Sequence, residues 1–480
     1  MGSNNQVTFS TWFKIILYVL VFIESQVDGQ SADQELNVTF ITDAISKGAG
    51  KICLDGTPGG YFFSKGFGDG INNWMIYLPG GGWCNSKEDC LDRSLNERLG
   101  SNKNVPPKDL VTFKSQDKNI NPDFYNWNFI EIRYCDGASF MADVEAVDPE
   151  TNLYLRGRRI FTSVIEELMS TQGMSNAENA LLVGNSAGGL ATILNCDRFH
   201  SFLPGARRVK CISDSGFFIQ AEHLRGGLDN AINKFRKIVL FHELAGFLPE
   251  SCTQRLAPEL CLFPENVVND IQTPLFLLNS DFDQFQISVL VLPNSTNEEG
   301  WRDCKSNNSI LPSCTKNNSY LPCCTDNQQQ LITDFQASFL KTLEKLDDNP
   351  SRGLFITSCY AHDFIPYPPY WKGTPTFQNK TIQQVMGDCV LTEGYDPSSP
   401  DCVKYLPPEC LDPFYHDMCK DAYDPIDTSD HCCNYIVTSL DIGCFMLVLV
   451  KQVVDMHLCD DKLGGHRAQA IWDKCYGLDS

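Results

Sequence analysis

The chain has 480 residues, of which 42% are hydrophobic and 20% are charged. This composition supplies enough apolar material for a large packed core and excludes a wholly disordered chain. The formal net charge is −22. Electrostatic repulsion therefore argues against binding to nucleic-acid phosphates or to anionic membrane surfaces.

An apolar segment near the N-terminus predicts export. Ile15–Ile23 is an uninterrupted apolar run of nine residues preceded by Lys14. That length suits a secretory signal peptide and is too short to span a bilayer. Val27-Asp28-Gly29 offers the small residues that a cleavage site needs. We expect a signal peptide over residues 1–29, a secreted, extracellular protein and no membrane span.

The cysteines and the glycosylation acceptors agree with export. The chain has 22 cysteines, and in an exported protein we expect most of them to form disulfides. His416-x-x-Cys419 and His431-Cys432-Cys433 are alternative zinc ligands, but disulfides are favoured there too, so no metal is expected. Five Asn-x-Ser/Thr acceptors are predicted to carry glycans, at Asn37, Asn294, Asn307, Asn317 and Asn379.

Composition divides the rest of the chain. We expect one folded domain over residues 30–400, with a polar surface insertion at about 293–329 that is rich in cysteines and acceptors. Residues 391–480 contain 16 acidic residues, 6 basic residues and eight cysteines. We therefore expect an acidic, cysteine-rich extension of unknown role over residues 401–480.

Short apolar segments alternate with helical patterns along the predicted domain. The strand candidates are Trp74–Leu78, Phe129–Tyr134, Ala180–Val183, Pro274–Leu278 and Leu354–Ile356. The helix candidates are Arg158–Met169, Ala187–Cys196 and Asp334–Leu346. Strands separated by helices predict an α/β fold with a mostly parallel sheet and helices on both faces.

A G-x-S-x-G motif occupies Gly184–Gly188. It follows a strand candidate and begins a helix candidate, which is the context of a nucleophile elbow. The small residues permit a sharp turn that exposes the Ser186 hydroxyl at the carboxyl end of the strand. We predict that Ser186 is a catalytic nucleophile. The alternative is an ordinary glycine-rich turn between strand and helix.

A serine nucleophile needs a base and a carboxylate that orients the base. Among the eight histidines, His362 fits best because it follows the strand candidate Leu354–Ile356 in a loop. The strand candidate Pro274–Leu278 leads to both Asp281 and Asp283. Sequence spacing alone does not choose between these two acids.

The reaction of a serine nucleophile also needs hydrogen-bond donors for the oxyanion. Gly80-Gly81-Gly82-Trp83 directly follows the strand candidate Trp74–Leu78 and is typical of esterase oxyanion loops. We predict that the backbone amides of Gly82, Trp83 and Ala187 form the oxyanion hole. The alternative is a flexible glycine turn.

These motifs belong to a longer pattern that resembles the plant pectin acetylesterases over about residues 40–390. The matching stretches are Cys53–Gly56, Gly66–Trp74, Gly80–Cys84, Asn121–Trp127, Arg133–Phe140, Ser186–Gly189, Cys252-Thr253, Phe263–Val268 and Ser358–His362. The resemblance implies an α/β-hydrolase-like fold and a Ser-Asp-His triad in which Asp283 is the acid. A more distant resemblance is to the animal carboxylesterase Notum.

The chain departs from this family beside two predicted catalytic residues. The family usually has cysteine where Asn185 and Asp363 stand. Because these positions flank Ser186 and His362, they are candidates for neighbours in space. The stretch Phe364–Tyr370 and Cys389 also differ from the family pattern, which bears on substrate specificity rather than on the triad.

The resemblance implies a secreted serine esterase that hydrolyses O-acetyl esters of pectin, or of a related cell-wall polysaccharide, through an acyl-enzyme. We expect it in the cell wall, as a monomer, with no cofactor and no nucleic-acid partner. One alternative is a lipid-ester carboxylesterase, which would need a large apolar pocket. Another is an inactive protein that binds wall polysaccharide, although the presence of Ser186, Asp283 and His362 argues against it.

Overall fold

The computed structural model describes residues 35–41 and 52–391, apart from 97–98, 222–223, 225–226, 292–325, 348, 350, 360, 374–375 and 378–379. The predicted signal peptide, most of the predicted insertion, the 401–480 extension and both alternative zinc sets lie outside the described residues. The acceptors at 294, 307, 317 and 379 also lie outside them. Asn37 is described and is exposed.

Ten strands and eight α-helices are present in the described part of the chain. The strands are β1 Val38–Phe40, β2 Gly60–Ser64, β3 Asn73–Leu78, β4 Asn128–Ile132, β5 Asn179–Asn185, β6 Arg208–Asp214, β7 Leu275–Ser280, β8 Arg352–Thr357, β9 Thr376–Phe377 and β10 Lys380–Thr381. The helices are α1 Lys87–Asn96, α2 Gly157–Glu167, α3 Ala187–Phe202, α4 Gly227–Phe241, α5 Glu250–Thr253, α6 Asp326–Leu343, α7 Pro368–Lys372 and α8 Ile382–Leu391. None of the described helices is both long and apolar enough to cross a membrane.

Eight of these strands form one sheet, in the order β1-β2-β4-β3-β5-β6-β7-β8. The six strands from β4 to β8 in that order are all parallel. The remaining two, β1 and β2, are antiparallel at one edge. The predicted α/β fold with a mostly parallel sheet is confirmed.

Residues of the central strands point alternately into two apolar cores, one on each face of the sheet. On β5, Leu182 belongs to the larger core together with Ile160 of α2 and Leu190 of α3. Its neighbour Leu181 belongs to the second core together with Met386 of α8. The two covered faces explain why the middle of β5, Ala180–Val183, is continuously apolar instead of alternating between apolar and polar residues.

Several elements were not among the sequence-based candidates, and two of the differences, in β6 and α6, have a clear cause. The central strand β6 was not among the strand candidates, because Arg208 and Lys210 interrupt its apolar pattern. In the structure both side chains are half-buried, and the Lys210 amine donates a hydrogen bond to the Cys389 carbonyl at 2.6 Å. Helix α6 begins at Asp326, inside the predicted insertion and well before the predicted start at Asp334.

All ten cysteines in the described residues are disulfide-bonded. Four of the bridges are Cys53–Cys135, Cys84–Cys90, Cys196–Cys211 and Cys252–Cys261. The Cys196–Cys211 bridge joins α3, the helix that begins directly after Ser186, to β6.

Candidate active site

Five segments, four of which carry predicted site residues, meet at one edge of the sheet. Parallel strands end on the same side, so the segments after β3, β5, β6, β7 and β8 converge there. These segments carry the glycine loop 80–83, Ser186, Asp214, the pair Asp281 and Asp283, and His362. Residues that are far apart in the chain are therefore brought into one small volume.

Ser186 lies at the turn between β5 and α3 in a strained conformation, with φ 54° and ψ −124°. Its amide donates a hydrogen bond to the Asp214 carbonyl at 2.8 Å, which fixes the turn against β6. The first turn of α3 needs glycine at position 188, because a Cβ atom at Gly188 would lie 1.9 Å from the Leu78 carbonyl oxygen. The sequence thus forms the tight elbow that presents a serine hydroxyl.

The structure places His362 between Ser186 and Asp283. His362 Nε2 lies 2.7 Å from Ser186 Oγ, and Nδ1 lies 3.0 Å from each carboxylate oxygen of Asp283. Asp283 is completely buried, and its Oδ1 atom also accepts a hydrogen bond from the Gln286 amide at 3.0 Å. With a proton on Nδ1 directed at Asp283, Nε2 is free to accept the Ser186 proton.

Asp281 lies on a different side of the same loop. Its Oδ2 atom accepts hydrogen bonds from Gln336 at 2.9 Å and from Ser358 at 3.1 Å. Burial raises the pKa of Asp281 to about 6. The two acids that sequence spacing left open are therefore distinguished by geometry, since Asp283 contacts His362 whereas Asp281 is bonded to two neutral side chains.

The glycine loop presents backbone amides beside the elbow. Gly82 has a φ of 61°, which suits glycine. The Tyr134 hydroxyl donates a hydrogen bond to the Gly82 carbonyl at 2.6 Å and accepts one from the Ser139 amide at 3.0 Å. Because C=O and N–H point in opposite directions in a trans peptide, this bond turns the Trp83 amide away from Tyr134. The amides of Gly82, Trp83 and Ala187 donate no hydrogen bond to any residue that the structure describes.

The comparisons with known proteins identify the family. A family model described as Pectinacetylesterase matches residues 29–410. The chain belongs to this family. Pectin acetylesterase 11 of Arabidopsis thaliana is 38% identical over 79% of this chain and 92% of its own length. Pectin acetylesterase 7 of the same plant is 39% identical over 73% of this chain and 86% of its own length.

More distant relatives share the fold. Palmitoleoyl-protein carboxylesterase notum1a of Danio rerio is 28% identical over 57% of this chain and 56% of its own length. A solved structure of the Wnt deacylase Notum from Drosophila aligns with a TM-score of 0.59 and 22% identity, over 74% of this chain and 92% of that one. This structural likeness shows that the pectinacetylesterase family chain has the Notum fold.

Aromatic rings and carboxylates surround the imidazole of His362. The ring stacks on Phe285, with centroids 5.0 Å apart and planes 24° apart. Burial acts to lower the pKa of His362, but the charge of Asp283, and then that of Asp363, outweighs burial and raises the pKa to about 9. The site therefore favours the protonated imidazole that forms when a serine gives up its proton.

Asp214, a buried residue that sequence reasoning missed, holds the loop that carries His362. Its Oδ2 atom accepts hydrogen bonds from the amides of Phe364 and Ile365, each at 2.8 Å. Its Oδ1 atom accepts a third from the Ser215 hydroxyl at 2.9 Å. The only signal in the sequence is a carboxylate at the end of an apolar segment, and the segment itself, β6, was not recognised as a strand.

One group of side chains in the described residues has the proximity that a metal ion would need, namely Cys84, Cys90 and His242. Both sulfur atoms belong to a disulfide and cannot act as thiolates. Burial lowers the pKa of His242 to about 4, and its Nε2 atom donates to the Cys84 carbonyl at 2.8 Å. The group is a packed disulfide and histidine rather than a ligand set.

Proposed function

We propose that this chain is a secreted serine esterase that removes O-acetyl groups from cell-wall pectin. Membership of the pectinacetylesterase family makes it a carboxylic-ester hydrolase, and its relatives named pectin acetylesterases support a pectin polysaccharide as the substrate. The observation that carries the proposal is the hydrogen-bonded chain Ser186–His362–Asp283 beside three amides without a partner among the described residues.

The proposed reaction has two halves. Ser186 Oγ attacks the acetyl carbonyl carbon while His362 Nε2 takes the hydroxyl proton, and Asp283 stabilises the imidazolium. The amides of Gly82 and Trp83, with that of Ala187, hold the negative oxygen of the tetrahedral intermediate. His362 then gives the proton to the departing sugar oxygen, which leaves an acetyl ester on Ser186.

Water completes the cycle. A water molecule gives one proton to His362 Nε2 as its oxygen attacks the acetyl carbon, and the bond to Ser186 Oγ breaks as the proton returns to that oxygen. Acetate leaves, and the starting state is restored without any other reactant. Each half uses the same base and the same oxyanion donors.

Export to the cell wall is the second part of the proposal. The signal-peptide pattern at residues 1–29, the exposed acceptor Asn37 and the ten disulfide-bonded cysteines support an oxidising compartment. We place the enzyme in the wall because its proposed substrate is a wall polysaccharide.

A lipid-ester carboxylesterase is the second candidate, favoured by the aromatic side chains near His362. Trp83 lies 5.2 Å from Phe218 and 6.3 Å from Phe285, measured between ring centroids. Such a wall packs against the methyl group of an acetyl ester and also against the first carbons of a longer acyl chain. Acyl-chain preference therefore separates the two candidates.

The proposal is tested by measuring acetate release from acetylated pectin beside hydrolysis of p-nitrophenyl acetate and p-nitrophenyl palmitate. A pectin acetylesterase releases acetate from pectin and prefers the short ester. Preference for palmitate without acetate release from pectin would establish the second candidate and reject the first.

A further inference from the structure

Each ring nitrogen of His362 has a carboxylate nearby. Asp283 bonds to Nδ1, whereas Oδ1 of Asp363 lies 3.7 Å from Nε2, the nitrogen that faces Ser186. Asp363 follows His362 directly in the chain and has a φ of 70°. This left-handed conformation turns the side chain back toward the ring of the preceding residue. A second acid is thus present where serine esterase chemistry requires only one.

One oxygen of the Asp363 carboxylate lacks a hydrogen-bond donor among the described residues. Its Oδ1 atom is inaccessible to solvent and has no hydrogen-bond partner in the described part of the chain. The side chain of Asn185 lies close enough to lower the pKa of this carboxyl. The Asn185 orientation is fixed because its Oδ1 atom accepts hydrogen bonds from the Tyr77 hydroxyl and from the Gly80 amide at 2.9 Å. The amide group of Asn185 is therefore left to face Asp363.

A buried acceptor without a donor is unfavourable, and it gains most from a positive charge at close range. The proton that His362 takes from Ser186 appears on Nε2, the ring atom near Asp363 Oδ1. The carboxylate consequently interacts with the imidazolium more strongly than with the neutral ring. Its effect appears only when His362 is protonated.

We propose that Asp363 is a positioning residue that acts through His362, stabilising the protonated imidazole from the Nε2 side and so raising the pH at which the esterase becomes active. This inference rests on the proposed function of the Ser186 site. It concerns two residues, Asn185 and Asp363, that directly adjoin Ser186 and His362 in the chain.

Four other titratable groups face this part of the site. Asp283 comes from the loop after β7 and Asp214 from the end of β6, while Tyr77 lies on β3 and Tyr367 follows the His362 loop. Burial, and then the charge of Asp363, raises the pKa of Asp214 to about 7. The two tyrosines are neutral over the working range, because burial raises the pKa of each above its usual value.

The positive charge of His362 acts more strongly on Asp363 than on Asp214. Burial raises the pKa of the Asp363 carboxyl, while the nearby positive charge of His362 lowers it. Asp214 is stabilised in a different way, because its carboxylate accepts hydrogen bonds from two backbone amides and a hydroxyl. The imidazolium of His362 therefore favours a negative charge on Asp363, the carboxylate that lies beside it.

The expected shift follows from the distance. Two unit charges 3.7 Å apart change a pKa by about one unit even at the dielectric constant of water. Replacing Asp363 with a neutral residue should therefore move the acidic limb of the kcat/KM profile down by about one pH unit. The plateau at high pH should fall by a few-fold, because a weaker base removes the serine proton less readily.

The test uses the full chain and acetate release from p-nitrophenyl acetate, measured as kcat/KM against pH for the wild type and Asp363→Asn. Asparagine tolerates the left-handed backbone, so the fold should be kept. Asp363→Gly, which also suits that backbone, replaces it if the asparagine variant does not fold. Asp281→Asn is the matched control, because it neutralises another buried acid on the same edge that does not contact His362.

The expected result is a downward shift of the acidic limb for Asp363→Asn and an unchanged limb for Asp281→Asn. A folded Asp363 variant whose acidic limb stays with the wild type overturns the inference, even if its activity is uniformly lower. A wild-type protein that does not hydrolyse the ester at any pH rejects the proposed function itself, and the inference falls with it. The two failures are thus distinguishable.

Discussion

Replacing Asp283 with asparagine removes the negative partner of His362 while leaving the size of the side chain nearly unchanged. At 3.0 Å and an effective dielectric constant of about 20, two unit charges attract by roughly 5 kcal/mol. That energy corresponds to about 10⁴ in rate, which agrees with the loss of about 10⁴ in kcat seen when a triad aspartate becomes asparagine. We therefore expect Asp283→Asn to lower kcat by three to four orders of magnitude, with a KM close to that of the wild type.

The assay is steady-state hydrolysis of p-nitrophenyl acetate, with thermal unfolding as the check that each variant is folded. Asp281→Asn is measured in parallel, and we expect it to retain kcat within a few-fold, because Gln336 and Ser358 bond to that carboxylate and His362 does not. The reasoning is refuted if the two variants exchange these behaviours, or if Asp283→Asn keeps most of its turnover.

Two further predictions concern the oxyanion loop and substrate capture. Tyr134→Phe removes the hydrogen bond to the Gly82 carbonyl, so kcat for p-nitrophenyl acetate should fall about tenfold. This loss is smaller than the loss of 10²–10³ that follows removal of a direct oxyanion donor. An unchanged kcat would show that the bond does not orient the loop. The net charge of the chain is −22. Arg156 and Arg159, which belong to a short basic cluster at residues 156–159, already form ion pairs with Glu145. The kcat/KM for pectin should therefore rise or stay level from about 10 mM to a few hundred millimolar salt, and a steep fall would indicate capture by a basic groove.

Most of the fold prediction depended on short apolar segments that can be recognised locally in the sequence. The apolar segments that became β3, β5, β7 and β8 are buried on both faces, so their composition alone identified them. Strand β6 was not predicted from the sequence, because Arg208 and Lys210 lie among its core residues and resemble a basic surface cluster. A long side chain can bury its stem in a sheet and still satisfy its charged end on a distant carbonyl, and sequence periodicity does not reveal that arrangement.

The elbow at Ser186 was predictable because the G-x-S-x-G spacing and the strand before it are local features. The choice between Asp281 and Asp283 was not predictable from spacing, since both follow the same strand, and only the resemblance favoured Asp283. Contacts between distant loops explain the rest. The hydrogen bonds of Asp214 to the loop after β8, and of Tyr134 to Gly82, depend on how strands far apart in the chain are ordered in the sheet.

The central claim is that Ser186 is the nucleophile of an esterase acting on acetylated pectin, and acetate release from that polymer by Ser186→Ala tests it most directly. Ser338→Ala is the matched control, since it removes a buried hydroxyl on α6 that has no partner among the described residues. We predict that Ser186→Ala folds and releases acetate only at the background rate. Adding His362→Ala should lower the rate little further. Ser338→Ala should release acetate as the wild type does. Acetate release near the wild-type rate from folded Ser186→Ala would contradict the account.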